Sequence, residues 1–175
     1  MYFPTYNTTH LEDWVTNWYI RMRISNPNQL KAVTIARKMD IFLHRKPISP
    51  SYLIHGRYKG ITLDAREDKL VQKEQFYHEL GHILRHVGIQ SMMPDAFREL
   101  QERDARHFTL YAALPYHMVS KYDLSDPHII ERWVNDFKVT HKLCVDRINI
   151  IKNRSLKYEC HESLDKTTLL KQIYG

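Results

Sequence analysis

The chain holds two cysteines in 175 residues, Cys144 and Cys160. Two thiols cannot build the multi-bridge framework of a small secreted domain, and the stretch Met1–Trp14 lacks the basic region and apolar run of a secretory leader. A reduced, cytoplasmic setting is the expectation. Glycine is scarce too, at five residues, below the ~7% of an average protein, which favours helix over an all-β fold. No apolar run approaches the 18 or more residues of a membrane-crossing helix. The longest uncharged stretch, His107–Ser120, is interrupted by two His and a Pro, so no membrane partner is expected. Repeats, low-complexity tracts and linker-like segments are missing as well, and one core is expected for the whole chain, 1–175.

Acidic residues are the remaining shortage, with 20 Asp and Glu against 26 Lys and Arg and a formal charge of +6. The excess is local. Between Arg21 and Lys46 stand seven basic residues and a single acid, Asp40, so this segment carries the whole imbalance. It suits a docking face for DNA or for an acidic protein segment, and equally an ordinary solvated helix surface. Few aromatics interleave it, which argues against a stacking platform for single strands.

What is present is an ample core, at 43% hydrophobic residues in a chain long enough to bury about 70% of its unfolded surface. Leu11, Trp14, Val15, Trp18, Tyr19 and Met22 follow helical spacing, and Asn26-Pro27 restarts a helix running to about Met39. These give N-terminal helices over 11–39. From 41 to 64 the residues turn to Ile-Phe-Leu, Ser-Tyr-Leu-Ile-His and Tyr-Lys-Gly-Ile-Thr-Leu-Asp, read as a small antiparallel sheet. Phe76, Leu80, Ile83, Leu84 and Val87 form the stripe of a buried helix over 69–87. Pro94 opens a further helix over 94–114 that Pro115 ends, and helices over 126–153 surround Lys138-Val139-Thr140. The fold class expected is α+β: a mostly helical single domain with a small sheet.

The 69–87 helix carries His78-Glu79-Leu80-Gly81-His82, an H-E-x-x-H pattern. Residues four apart lie about 40° apart around a helix, so both imidazoles can face one metal ion, with Glu79 beside them as a base for the attacking water. Leu80 points the other way, into the core stripe. A catalytic zinc needs a third protein ligand, and the next helix offers Glu99, Glu102 and Asp104.

His-Glu-Leu-Gly-His followed by Glu102-Arg-Asp-Ala105-Arg-His-Phe108-Thr109 and an apolar run ending in Pro115 resembles the ImmA/IrrE family of metallo-endopeptidases. That family shows H-E-L-G-H, then E-x-x-A-x-x-F-A, then a short apolar run closing in Pro; Thr109 replaces the final Ala. The resemblance implies a zincin-like arrangement in which the H-E-x-x-H helix packs on a third-ligand helix. It makes His78, His82 and Glu102 the metal ligands, Glu79 the catalytic base, and zinc, or manganese, the cofactor. It also implies a protein substrate, commonly a helix-turn-helix repressor of a phage or integrative element, which relatives of this size cut as anti-repressors. The chain departs from the family at Arg106, where many members carry an Asp or Asn able to orient a ligand His; Asp104 is the residue left to take that role, or to replace Glu102 as ligand. His86 reads as a helix-end or supporting residue. Tyr77, His86, Tyr111 and His117 are all near enough in sequence to serve an oxyanion, with nothing to rank them.

A different class of function stays open at this stage. Glu131–Phe137, a turn, and His141–Asn149 have a loose helix-turn-helix look, so a DNA-binding regulator with a structural or vestigial metal site is the alternative. Packing of Leu143, Val145 and Ile148 on the domain would remove that reader. Cys160-His161 could attract a metal, though such a pair is usually incidental.

Overall fold

The computed structural model describes residues 6–86 and 94–155, and no helix among them is long and apolar enough to cross a membrane. Val87 and Cys160-His161 lie outside these residues.

Helix α1, His10–Arg21, starts at a capping box: the Thr9 side chain accepts from the Glu12 amide while the Glu12 carboxylate accepts from the Thr9 amide. Its apolar face buries Val15, Trp18 and Tyr19. The single helix expected from Asn26 to Met39 is broken in two. A 3₁₀ turn, Pro27–Gln29, is followed by α2, Ala32–Lys38. The break has a local cause, because the Gln29 side chain folds back to accept from the Ser25 and Asn26 amides at 2.8 and 3.0 Å. Leu30 then leaves helical geometry and is buried.

Three strands follow, β1 (Phe42–Lys46), β2 (Ser51–His55) and β3 (Tyr58–Asp64), in the order β1-β3-β2. The expected antiparallel pairing holds for β2 with β3, joined through Gly56 at φ 57°, a conformation glycine takes without strain. The pairing of β1 with β3 is parallel, from Phe42 opposite Gly60 to Lys46 opposite Asp64, so the sheet is mixed. Residues 47–50, bounded by Pro47 and Pro50, carry the chain across the sheet by one strand position, leaving the slot that β3 fills. Local alternation marks strands but not which of them become neighbours.

Ile61 and Leu63 of the central strand join a core with Phe76, Tyr77, Leu80 and Ile83 of α3, Lys69–Arg85. Full burial of side chains such as Phe76 or Leu80 stabilises by about 1.5–3 kcal/mol each. Asp68 caps α3, its carboxylate accepting from the Leu70 and Val71 amides at 2.7 and 2.9 Å. Helix α4, Asp95–Ala113, crosses α3 with Ala105, Phe108, Thr109 and Ala112 turned inward. The approach is close at Gly81, where an added Cβ would lie 3.0 Å from Phe108 Cδ1 and 3.4 Å from Ala105 Cα. The glycine thus has a packing reason, as the small-residue face of α4 suggests.

A short α5, Tyr116–Val119, leads to α6, Ile129–Phe137, and α7, residues 141–155. Ile148 is buried and Leu143 packs at the edge of the core, while Val145 is half-buried; α7 also sinks Cys144, Arg147 and Ile151. Arg147 is fully buried against Glu12, Nη2 to Oε1 2.6 Å, with Nε donating to the Leu114 carbonyl at 3.1 Å. Arg154 meets the same carboxylate at 3.1 Å, and the Tyr6 hydroxyl donates to it at 2.6 Å. This network ties α1 to α7. The observed architecture is the α+β class read from the sequence, mostly helical with a small sheet.

Candidate metal centre

One face of α3 packs and the other presents chemistry. Helical spacing places His78 and His82 one turn apart, their Nε2 atoms 3.2 Å from each other. Glu102 reaches in from α4, with Oε2 3.2 Å from His78 Nε2 and Oε1 3.3 Å from His82 Nε2. The three donors form one group within 4.8 Å. Three corners of a tetrahedron about 2.05 Å from its centre lie about 3.3 Å apart, so the spacing fits three ligands of a zinc-sized ion with a fourth position open. Two imidazole nitrogens and a carboxylate converging on one point are also the donor set such an ion takes.

Electrostatics agree with that use. Burial, with Arg106 and His86 adding, lowers the pKa of His78 although Glu102 opposes it; His82 is lowered mainly by burial as well. Both rings are therefore held neutral, the form that ligates metal. Glu79 is buried beside them, and burial together with the charge of Glu102 raises its carboxyl to about 7.

Asp104, the other carboxylate weighed as a ligand, is engaged elsewhere. Arg85 donates to it through Nε at 2.6 Å and Nη2 at 3.0 Å, and His86 Nε2 lies 3.0 Å from its Oδ2. His86 Nδ1 in turn is 2.9 Å from His82 Nδ1. With His82 Nε2 facing the other donors, one proton arrangement satisfies the whole chain of bonds: His82 Nδ1–H donates to His86 Nδ1, and His86 Nε2–H donates to Asp104. The pair fixes the tautomer and ring orientation of His82 from behind. Arg106, where many relatives have a carboxylate or amide, is exposed and instead lines the cleft in front of the site.

That cleft has a volume of about 610 Å³, with His78 and Glu79 at its floor, Arg106 and His107 from α4 on one side, and Leu143 and Ile150 from α7 on another. Tyr77, Tyr111 and His117 are not brought to the cluster. The Tyr19 hydroxyl lies 3.3 Å from that of Tyr77, Arg154 donates to the Tyr111 hydroxyl at 3.3 Å, and the His117 ring packs near Tyr19. Tyr52 is the residue that sequence reasoning missed. From β2 its ring stacks on His82 at 5.2 Å and 10°. Burial, then the charges of Glu79 and Glu102, raises its pKa and keeps the phenol protonated. Only the strand-like segment Ser-Tyr-Leu-Ile-His marked it, without indicating which face it occupies.

The arrangement has counterparts among known proteins. The chain matches the IrrE N-terminal-like domain of peptidase family M78 over residues 36–149. It is 33% identical over 147 residues to the uncharacterised protein YqaB of Bacillus subtilis (strain 168), covering 83% of this chain and 86% of that protein. It is 29% identical over 148 residues to the phage-like element PBSX protein XkdA of the same strain, covering 83% and 75%. No solved structure matches. With the matched region spanning all of α3 and α4 and the His-His-Glu group between them, the chain belongs to the ImmA/IrrE family of metallopeptidases, peptidase family M78.

Proposed function

We propose that this protein is a zinc-dependent endopeptidase, with manganese as the other metal its donors suit, acting in the cytoplasm on a helix-turn-helix repressor of a phage or integrative element. The observation that carries the enzymatic part is the trio His78, His82 and Glu102 at 3.2–3.3 Å with Glu79 buried alongside. The printed description of one relative, a phage-like element protein, supports the setting.

In this reading His78, His82 and Glu102 hold the ion. When bound, the ion supplies Lewis acidity toward the scissile carbonyl and toward water. Glu79 takes the proton of the attacking water and passes it to the leaving amine. Tyr52 holds the His82 ring by stacking and keeps a protonated hydroxyl on the same side as Glu79 and Glu102. His86 and Asp104 hold His82 in its ligating tautomer.

Incubation of the metal-loaded protein with a helix-turn-helix repressor, where one is encoded beside it, should give discrete fragments. A chelator should stop the cleavage, and zinc or manganese should restore it. An intact repressor alongside cleavage of an unfolded test protein would remove the substrate and leave the peptidase; no cleavage of either would remove both. For the support of His82, His86→Phe or Asp104→Asn should weaken metal binding about 10–100-fold, read by competition with a chromophoric chelator. Unchanged affinity in both variants would show that the relay does not orient the ligand.

The DNA-binding alternative has little left to stand on. The second helix of its motif would read bases, yet Cys144, Arg147 and Ile148 of α7 are buried in the core, leaving less of that helix to enter a groove.

A further inference from the structure

A second cavity, of about 760 Å³, opens between the 3₁₀ turn, the start of α2, β1, the first two turns of α3 and the end of α6. None of the metal-site residues lines it. Its volume lies within the ~300–1,000 Å³ usual for small-molecule sites. Five cations line it, Lys31, Arg45, Lys69, Lys73 and Lys138, against one carboxylate, Asp136; Arg45 Nε donates to Gln72 Oε1 at 3.0 Å. That carboxylate already accepts from the Tyr122 hydroxyl at 2.7 Å.

Three of the lysines stand where a different residue would serve the fold better. Lys69 opens α3, whose first turn has no acidic residue, at the helix end that disfavours cations. Lys73 is largely removed from solvent: its Nζ donates to the Phe137 carbonyl, and burial, with the nearby charge of Lys138, brings its pKa down to about 8. Lys138 ends α6 in the left-handed region, at φ 53° and ψ 57°, where glycine is usual because a side chain there is strained; Arg23 and Asp40 take the same conformation after α1 and α2, outside the cavity. What converges on this cavity is charge: a largely buried lysine and four further cations share one lining.

We propose that this cavity binds a small organic polyanion, whose anionic groups the five cations receive while Pro27, Ala32 and Val33 take its apolar body. The cation excess fixes the sign and multiplicity of the ligand's charge, and the mixed lining calls for an organic frame. Phosphate and carboxylate groups share the chemistry that lysines recognise, so a nucleotide-sized phosphate and a polycarboxylate are its two sources. The site is independent of proteolysis. It shares α3 with the metal group, Lys73 preceding His78 by five residues, about 7.5 Å along the helix axis.

Calorimetric titration of the full chain with ATP, inorganic triphosphate, citrate and adenosine tests the proposal. At least one of the polyanions should bind with a Kd below about 1 mM, weakening with salt, while adenosine does not; triphosphate against citrate separates the two sources. Lys138→Gly should weaken binding by about tenfold or more while leaving the melting temperature equal or higher, since it removes the strain along with the charge. Lys73→Met, which keeps the stem and removes the cation, should weaken binding similarly. Chelation of an ion held by His78, His82 and Glu102 would be untouched by either substitution. Binding that survives both, or no polyanion binding at all, overturns the site.

Discussion

Glu79→Gln should keep the metal and lose about 10²–10⁴-fold in turnover, the range that a positioned general base and acid supplies. The substitution is isosteric and leaves His78, His82 and Glu102 in place, so metal content measured by elemental analysis should match the wild type. Glutamine can accept a hydrogen bond from water but cannot take its proton. The variant should also fold without penalty, because Glu79 is buried with a carboxyl raised to about 7 by burial and by Glu102, and removing that charge relieves both. A melting temperature no lower than the wild type, equal metal content and a collapsed initial rate together identify the base. Cleavage at the wild-type rate would sink the assignment, and loss of metal would move the defect from chemistry to binding.

The second large effect is on stability. Glu12→Ala should destabilise the fold by about 3–5 kcal/mol, the cost of leaving one partner of a buried ion pair uncompensated. For a chain of this size that is a fall of about 6–20 °C in melting temperature. The fully buried Arg147 guanidinium, 2.6 Å from Glu12, would lose its counter-charge. Arg154 and the Tyr6 hydroxyl would lose an acceptor. Replacing both partners, Glu12→Leu with Arg147→Met, should recover much of the loss, since two apolar side chains leave no orphaned charge. Urea titration of the single and double variants checks both statements; a single-variant loss under about 1 kcal/mol would remove the network from the core's support.

The same pair gives a pH dependence with a definite sign. Burial alone pushes the Glu12 carboxyl up, but Arg147, Tyr6 and the Thr9 amide together pull it further down, to below the ordinary value of 4.5. Its folded pKa is thus lower than its unfolded one. The stabilisation is complete above about pH 4.5 and is lost as pH falls through the folded value. Glu12→Gln should flatten that limb of the stability curve.

The metal group was legible in the sequence because most of it is local. His78 and His82 are related by helix periodicity, and Glu102 was reachable through the pattern that joins it to Ala105, Phe108 and Pro115. The α3 stripe was legible for the same reason, since Phe76, Leu80 and Ile83 repeat at helical spacing on one element. Tyr52 was hidden because the face a strand residue occupies depends on register, and the register here depends on a parallel pairing that no local signal announces. The Glu12–Arg147–Arg154 network was hidden for a stronger reason: Glu12 lies more than a hundred residues before either arginine, and each alone reads as an ordinary surface charge. All seven cations of the basic segment Arg21–Lys46 are exposed. Lys38 Nζ donates to the Met22 carbonyl, Arg21 Nε donates to the Asn17 carbonyl, and Lys31 and Arg45 line the cavity between α2 and α3.

The contact at Gly81 reaches beyond the two helices that make it. Phe108, which rests over that glycine, is backed by Trp14 and Trp18 of α1, whose rings lie 6.2 and 6.1 Å from its own. Those indoles stack on each other at 5.9 Å, so the gap between the helix bearing two histidines and the helix bearing Glu102 is gauged by an aromatic shim. Trimming the shim, as in Trp14→Leu, should let α4 settle differently against α3 and shift Glu102 with it. With His78, His82 and Glu102 holding an ion as proposed, substitutions in α1 should change its preference among ions of different radius without touching a ligand.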